Sequence, residues 1–451
     1  MTATIIISVI TCVFTVTLVL FKPSVVFNTK NGREIRFSVF WLAPFIGCIA
    51  ILISKVISPA EALAGLTSDM GSILLTDSPI NPLKIVILFF SMTLISIVLD
   101  EAGFFRYLAL KTLQKAGESQ KRLFVLLYVI VSVLTVFTSN DIVILTFTPF
   151  ICCFCANAKI DPVPYIMAEF VAANTLSMFL IIGNPTNIYL ASGYGISFLN
   201  YLTAMALPTV MGAVVAFVVL YLLFFKKLQL PIVKSTETPT LTDKPLTVVS
   251  LVHLVVCIAL LMISDFIGVQ MWFITLISAV SAVLCILLYC AIKKRKPTVL
   301  WNSFKRIPWT LAPFVLSMFV IILALEKCGV SAALASFLAS GGDELNILSF
   351  GLSGVLVANL VNNIPMSVLY SSMAKTGNMK IMGVFASVAG SNVGAYLTPV
   401  GALAGIMCVD ITNKHGVKFG FLNFAKYGVI TAVPTIFAVI GGLYISALYI
   451  L

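Results

Sequence analysis

The feature that most limits this chain is a succession of apolar runs, each about 17–25 residues long and so of membrane-crossing length. They fall near 5–21, 38–54, 83–103, 164–190, 200–225, 246–264, 270–292, 310–326, 381–405 and 427–450. Two further stretches, 121–156 and 346–374, are equally apolar but broken by polar clusters. Lipid offers no partner to backbone N–H and C=O groups, so such runs must be helices. The prediction is an all-α, polytopic membrane protein with about ten spans. The composition agrees, with 60% hydrophobic and 10% charged residues, where soluble domains carry about 25% charged. The first run has neither a basic leading segment nor a small-residue cleavage site, and reads as a retained span.

A net charge of +11 on a soluble domain would point to nucleic acid. Here no Lys/Arg block is interleaved with aromatics, and no nucleic-acid partner is expected. The charges lie in short loops, where Lys and Arg mark the cytoplasmic side. Lys22, Lys30, Arg33 and Arg36 put 22–37 inside. Glu61, Asp69 and Asp77 put 55–82 outside. Arg106, Lys111, Lys115, Lys121 and Arg122 return 104–122 inside, and Lys226, Lys227, Lys234 and Lys244 hold 226–245 there. Runs 164–190 and 200–225 already make one return trip between those last two loops. Segment 121–156 must then leave and come back on one side, as a re-entrant hairpin with Ser139-Asn140-Asp141 at its tip; two short full spans also satisfy the parity, but about 35 residues are few for them. The bilayer, in a multi-pass arrangement in a cell inner membrane, is the expected setting.

The second half repeats the first. Run 88–109 aligns with 314–335, placing Ser91-Met92 on Ser317-Met318, Asp100 on Glu326 and Gly103 on Gly329. With small gaps, Ser139-Asn140 falls on Asn362-Asn363, Asn174 on Asn392 and Gly183 on Gly401. The first copy is followed by the basic loop 104–122, the second by Asp343 and Glu344 with only Lys327. Opposite flanking charge means opposite orientation, and inverted repeats are a transporter architecture with its site at the repeat interface. The expected organisation is a first repeat over 1–225, a polar linker at 226–245 and a second repeat over 246–451. Each repeat holds a hairpin (near 121–156 and 346–374) and a broken helix (164–190 and 381–405).

The polar residues inside apolar runs are the site candidates, because unpaired polar groups in hydrocarbon cost several kcal/mol each (about 2.5–3.5 for a central Asp). In the first repeat they are Thr138, Ser139, Asn140 and Asp141 at the hairpin tip, Asn174-Thr175, and the break Gly183-Asn184-Pro185-Thr186-Asn187. In the second they are Asn359, Asn362 and Asn363 at the tip, Ser391-Asn392, and Thr398-Pro399 with Gly401 at the break. Pro removes a backbone donor and Gly permits unusual dihedrals, so these breaks free amides and carbonyls that only protein or a wet cavity can satisfy. Two tips and two interrupted helices at one level can build an ion or anion site from half-helix N-termini and amide side chains. Asp141, whose repeat mate is Ile364, is the expected coupling residue for H+ or Na+; no other cofactor and no metal are expected. Glu169 is expected either to snorkel to its membrane surface or to serve the site. Asp100, Glu101, Glu326 and Lys327 read as paired or solvated helix ends.

Other chemistries fit less well. Cys152-Cys153-x-Cys155 resembles a soft-ligand set, but no second Cys or His cluster completes it, and membrane thiols are ordinarily small apolar residues. The ten cysteines, nearly all in apolar runs, argue against a disulfide framework. Gly351-Leu352-Ser353-Gly354 matches an intramembrane serine protease pattern. Its base would have to be His415, which lies in a polar loop, so an enzyme is not expected.

On these residues the chain, over roughly 38–450, resembles the ion transporter superfamily. That group holds arsenite efflux permeases, sodium/proton antiporters of the NhaD type, silicon efflux transporters and divalent-anion/sodium symporters. The carriers are Ser139-Asn140-Asp141 with Thr148-Pro149, Gly183 to Asn187, Asn362-Asn363-Ile364-Pro365, and Thr398-Pro399-Val400-Gly401-Ala402-Leu403-Ala404. The last two look most like the arsenite permease branch. The chain departs from that branch at Asn140-Asp141-Ile142-Val143, where Gly-Ala-Ala usually follows the Asp, and it lacks the Ser-Asn-Thr signatures of the dicarboxylate branch. The resemblance implies a secondary transporter that moves hairpin-bearing elements against a scaffold like an elevator. It implies a small inorganic anion or metalloid as substrate, arsenite leading, exported against proton entry, and it admits a homodimer. Sodium-coupled anion uptake and sodium/proton antiport are the rival implications.

Overall fold

Apolar runs become helices in this chain, and its polar interruptions become their ends. The computed structural model describes residues 2–21, 24–28, 34–68, 70–75, 81–232, 240–241, 243–340, 342–375 and 379–450. Lys22, Lys30, Arg33, Asp69, Asp77 and Lys234, used above to orient the chain, lie outside them, as does most of 233–242. Among the described residues, eight helices are long and apolar enough to cross a membrane by length and composition. Shorter apolar helices make up the rest of the membrane part. Outward-facing Leu222 (67% exposed), Leu288 (63%) and Leu448 (80%) form the kind of apolar surface that water does not tolerate and lipid does.

The first half runs α1 (Thr2–Phe21), α2 (Leu42–Ile53), α3 (Pro59–Thr67), α4 (Pro82–Glu101), α5 (Phe104–Ala116), α6 (Gln120–Phe137), α7 (Asn140–Ala158), α8 (Val163–Leu176), α9 (Pro185–Gly193) and α10 (Phe198–Phe224). The second runs α11 (Lys244–Met262), α12 (Ser264–Ile267), α13 (Met271–Ile292), α14 (Thr298–Arg306), α15 (Leu311–Lys327), α16 (Val330–Ala339), α17 (Gly342–Val361), α18 (Asn363–Ala374), α19 (Ile381–Gly394), α20 (Leu403–Lys414) and α21 (Phe421–Ile450). Segments read from charge as loops thus hold short helices: α3 in 55–82, opened by a Ser58/Glu61 capping box, and α5 in 104–122. Segment 22–37 carries an antiparallel ribbon, β1 (Ser24–Asn28) and β2 (Glu34–Ser38), in register from Ser24↔Ser38 to Asn28↔Glu34. Five-residue strands leave little trace beside a 20-residue apolar helix.

Packing repeats between the halves. α1 lies on α2 as α11 lies on α13; α6 lies along α8 as α17 lies along α19; α7 meets α20 as α18 meets α9. Helices are also exchanged: α13 packs on α4, and α2 packs on α15. Lys84 of α4 reaches across to Gln270 before α13 (2.9 Å). The aligned glycines confirm the register. Gly103 and Gly329 both turn the chain after the long helix with positive φ, +88° and +76°, where a Cβ is disfavoured.

Both hairpins fold back along the helix that follows them, α6 and α7 on α8, α17 and α18 on α19. At the start of the first, Gln120 accepts a hydrogen bond from Tyr165, at the start of α8 (2.8 Å). At its end, Asp161 pairs with Lys227 beyond α10 (2.6 Å). At its tip, Asn140 reaches Asn174, at the far end of α8 (3.0 Å). α6 therefore goes in and α7 comes back, with both arms on α8. In the second hairpin, Tyr370 of α18 donates to Ser353 of α17 (2.9 Å), and the tip residue Asn362 donates to the Val400 carbonyl, beyond the end of α19 (3.0 Å).

Candidate functional site

Each tip and each break starts a helix. α7 begins at Asn140 and α18 at Asn363 after the tips, α9 at Pro185 and α20 at Leu403 after the breaks. Every start points unsatisfied N–H groups and a partial positive charge at what lies ahead of it. Side chains then link the four ends, by way of the last turn of α19, in one chain of contacts that is buried except at the half-buried Asn359 and Thr398.

At the first tip, Thr138 caps its own helix through the Leu134 carbonyl (2.7 Å) and Ser139 is the extended N-cap of α7. Asn140 donates to Asn174, which donates in turn to the Phe170 carbonyl (2.8 Å). From the last turn of α8 the chain passes to the break, where Asn187 donates to the Ser177 carbonyl (2.7 Å) and Asn184 accepts from the Thr186 amide. Asn392 of α19 then joins the two repeats. Its Oδ1 accepts from Ser177 Oγ and Asn184 Nδ2, both at 2.8 Å, and its Nδ2 donates to Asn187 Oδ1 at 2.7 Å. Asn392 is fully buried, so these bonds have no water to fall back on.

The second break closes the chain. Asn359 donates to the Gly394 carbonyl (2.8 Å) and accepts from Thr398 (2.6 Å). Pro399 and Gly401 bound a short 3-10 turn. Asn362 holds φ +77°, a conformation that costs a non-glycine residue about 1–3 kcal/mol and survives where its surroundings enforce it. Its side chain supplies that enforcement through Val400 and the Ile364 amide. Gly183 and Gly401 are equivalent again: a Cβ on either would strike the carbonyl oxygen ending the preceding helix, of Ser177 and Gly394 respectively. The doubling back of each break thus needs glycine.

All but one of the residues singled out from the sequence lie along this chain of contacts or directly beside it. Asn363 is buried at the start of α18, Thr175 bonds Tyr396 (3.3 Å), and Ser391 and Thr186 are buried with hydroxyls that have no partner among the described residues. The exception is Asp141. It sits in the first turn of α7, partly exposed, with no hydrogen bond or ion pair among the described residues, a lone carboxylate at the edge of a neutral amide cluster. None of the hydrogen bonds in the cluster comes from Lys, Arg or His.

Several participants were not legible as such. Ser177 and Tyr396 look like ordinary helix residues until the breaks fold back. Glu169 does not snorkel: it is fully buried on α8 and both its oxygens accept from Thr148 of α7 (3.1 and 3.0 Å). Cys408, from the other repeat, lies 4.0 Å from Thr148. Among the described residues no group of three or more His, Cys, Asp or Glu is placed to hold a metal. Ser353 donates to its own helix and accepts from Tyr370, while His415 is exposed at the end of α20; they form no nucleophile–base pair. Asp100 and Glu101 both pair with Arg306 of α14 (2.7 and 2.6 Å), and Lys327 pairs with Glu61 (2.8 Å).

The contacts between scaffold and hairpins are also symmetric. Asp100, ending α4, accepts from Thr146 on the return arm of the first hairpin (2.8 Å). Glu326, its repeat mate on α15, accepts from Ser372 on the return arm of the second (2.9 Å).

Comparison with known proteins gives three findings. The model of a family described as citrate transporter (CitMHS) matches residues 27–376. The arsenical pump membrane protein of Escherichia coli K12 is 24% identical over 371 residues, 79% of this chain and 84% of that one; a 46 kDa membrane protein of Mycobacterium leprae is 27% identical over 389 residues, 81% and 86%. Among solved structures, the Alcanivorax borkumensis YdaH transporter, described as having an unusual topology, aligns over 99% of this chain and 97% of its own with a TM-score of 0.54 at 13% identity.

Proposed function

The chain belongs to the citrate transporter (CitMHS) family, and from that premise we propose that it is a secondary active transporter exporting a small metalloid, arsenite first, against proton entry. It is a multi-pass membrane transporter of the arsenical pump kind by family; substrate, coupling and mechanism are our reading. One observation carries the substrate: the buried centre offers amides, hydroxyls and helix N-termini, with no Lys, Arg or His in its hydrogen bonds. Arsenous acid is small, uncharged near neutral pH and bears three hydroxyls, each able to donate and accept, so amides and hydroxyls match it without charge. Citrate, the substrate in the family's description, carries up to three carboxylates. It favours cationic side chains or a bound metal, and is the alternative reading.

Asp141 is the proposed proton carrier. It is the one acid at a tip, unpaired and partly exposed, so that it can gain and lose a proton as the site changes sides. The hairpins and broken helices, α6–α9 and α17–α20, are the proposed moving part against α4 and α15. The Asp100–Thr146 and Glu326–Ser372 contacts are the joints that would part and re-form. We place the protein in the inner membrane with its basic ends, around Lys226 and Arg306, in the cytoplasm.

The test is transport into proteoliposomes under an imposed pH gradient, without sodium, for wild type and Asp141→Asn. Arsenite movement that follows the gradient and is lost in the variant supports the reading. A flux that requires sodium, or arsenite that stays put, overturns it.

A further inference from the structure

Six cations fall within fourteen residues: Lys293, Lys294, Arg295 and Lys296 follow α13, and Lys305 and Arg306 end α14. No Asp or Glu occurs between Asp265 and Glu326, so any balancing acid must come from another element. Asp243 takes Arg295 (3.7 Å), and Asp100 and Glu101 take Arg306. Lys293, Lys294, Lys296 and Lys305 are exposed and form no ion pair among the described residues. Trp301 is exposed beside them, with the Lys305 ammonium 6.0 Å from its ring. Aromatics of this kind mark the level where hydrocarbon meets headgroups. The cations alone would do no more than orient the chain.

What sets the stretch apart is the groove next to it. α4, α13 and the end of α14 enclose about 290 Å³ between Phe90, Leu94, Val280, Leu284, Phe304 and Trp309. The Trp309 ring packs edge-on against Phe90 (5.2 Å), and its indole N–H is already spent on the Phe304 carbonyl (2.9 Å). Val280, Leu284 and Trp309 are exposed, so the groove opens sideways, toward lipid. Ser91 brings the one hydroxyl in its lining. Ordered water needs about two to four polar partners; this lining does not supply them, whereas hydrocarbon needs none. Leu284 lies nine residues before Lys293, about 14 Å along the helix and so about half the thickness of a bilayer core. The groove is therefore at the depth of acyl chains, and the lysines are at that of headgroups.

We propose that the groove and the basic stretch together bind one anionic phospholipid from the leaflet at the basic ends. Its phosphate is held by Lys293, Lys294 and Lys296, and one of its acyl chains lies in the groove between α4, α13 and α14. Basic clusters beside membrane helices attract anionic headgroups in this way. A zwitterionic lipid offers the same chains without the net charge, so the lysines discriminate between the two. The inference needs the membrane setting alone and stands whatever the transported solute is.

The test uses the full chain in mild detergent and phosphatidylglycerol carrying a photoreactive group halfway along one acyl chain. After illumination, peptide mass spectrometry locates the adducts. They are expected on the groove residues of α13 and on 304–309, and unlabelled phosphatidylglycerol should suppress them far better than phosphatidylcholine. Each lysine near an anionic headgroup is worth about fivefold in affinity. Lys293→Gln, Lys294→Gln and Lys296→Gln combined should therefore weaken that suppression by about tenfold or more. The matched set Arg106→Gln, Lys111→Gln and Lys115→Gln, equally exposed on α5, should leave it unchanged. Val280→Trp, which fills the groove from its exposed rim, should remove the groove adducts. Adducts only elsewhere, equal suppression by the two lipids, or a loss that the α5 set matches overturns the site. The competition in wild type needs no substitution, so a variant that folds poorly leaves the test standing.

Discussion

Asn174 and Asn392 occupy equivalent places in the two repeats, so a symmetric protein would lose the same from truncating either. The geometry says otherwise. Asn392→Ala breaks three bonds with buried groups of the other repeat, from Ser177 Oγ and Asn184 Nδ2 and to Asn187 Oδ1, of which only Ser177 Oγ keeps another partner, the Asn174 carbonyl. Asn174→Ala breaks one, from Asn140 Nδ2. Hydrogen bonds between membrane helices are worth about 0.6 kcal/mol on average and about 1.7 at most. The two truncations then cost about 2–5 and about 0.6–1.7 kcal/mol from lost bonds. Both truncations remove the same side-chain atoms from a buried site, and the difference in lost bonds alone is about 1–3 kcal/mol. Both variants and wild type are melted in one detergent, and the midpoints should rank wild type, Asn174→Ala, Asn392→Ala, with the larger gap below Asn174→Ala. Equal losses, or a greater one at Asn174, would refute the view that Asn392 holds the two broken helices together.

Other expectations follow from single contacts. Arg306→Met strands the buried Asp100, at a cost near the low end of the 3–5 kcal/mol for breaking buried pairs, about 3, because Arg306 is itself a third exposed; adding Asp100→Asn should restore most of the loss in the same melting assay. Thr148→Val removes the side-chain partner of Glu169 and should destabilise by about 1–3 kcal/mol, whereas Glu169→Gln, which keeps a bond to Thr148, should cost less. Outside the membrane, the hydrogen bonds from Lys327 and Ser58 hold the Glu61 carboxyl down to about 2. A lowered carboxyl stabilises above its ordinary value near 4.5 and loses that contribution as pH falls toward about 2. Lys327→Ala should move the midpoint of a carbon NMR titration of Glu61 upward, and an unmoved midpoint contradicts the pairing.

Much of this architecture was legible because an inverted repeat writes its landmarks twice. Gly103 and Gly329, Asp100 and Glu326, Asn174 and Asn392, Gly183 and Gly401 align in sequence and occupy matching places in the fold. Polar interruptions of apolar runs located both tips and both breaks, since hydrocarbon makes such interruptions expensive. What stayed hidden was lateral. A helix apolar on every side does not reveal which neighbour it packs on, so the exchange of α2 and α13 between halves had no signal. Nor did the crossing of Asn392 to Ser177, Asn184 and Asn187, because partners some 200 residues away leave no local pattern. For Glu169 the sequence left open whether it snorkels or turns inward, because its partner Thr148 sits on another helix. The ribbon and the small helices α3, α5 and α14 were masked by charge counts that treat any polar segment as a loop.

On this reading the amide cluster is an uncharged site reached alternately from two sides. Counterflow tests it most directly, because it needs alternating access but no driving gradient. Proteoliposomes preloaded with unlabelled arsenite are diluted into a trace of labelled arsenite, and the transient accumulation is challenged with excess external arsenite or citrate. The expected result is an overshoot that arsenite abolishes, that citrate leaves untouched and that Asn392→Ala, where it still folds, diminishes. No overshoot, or one that citrate abolishes, would contradict it.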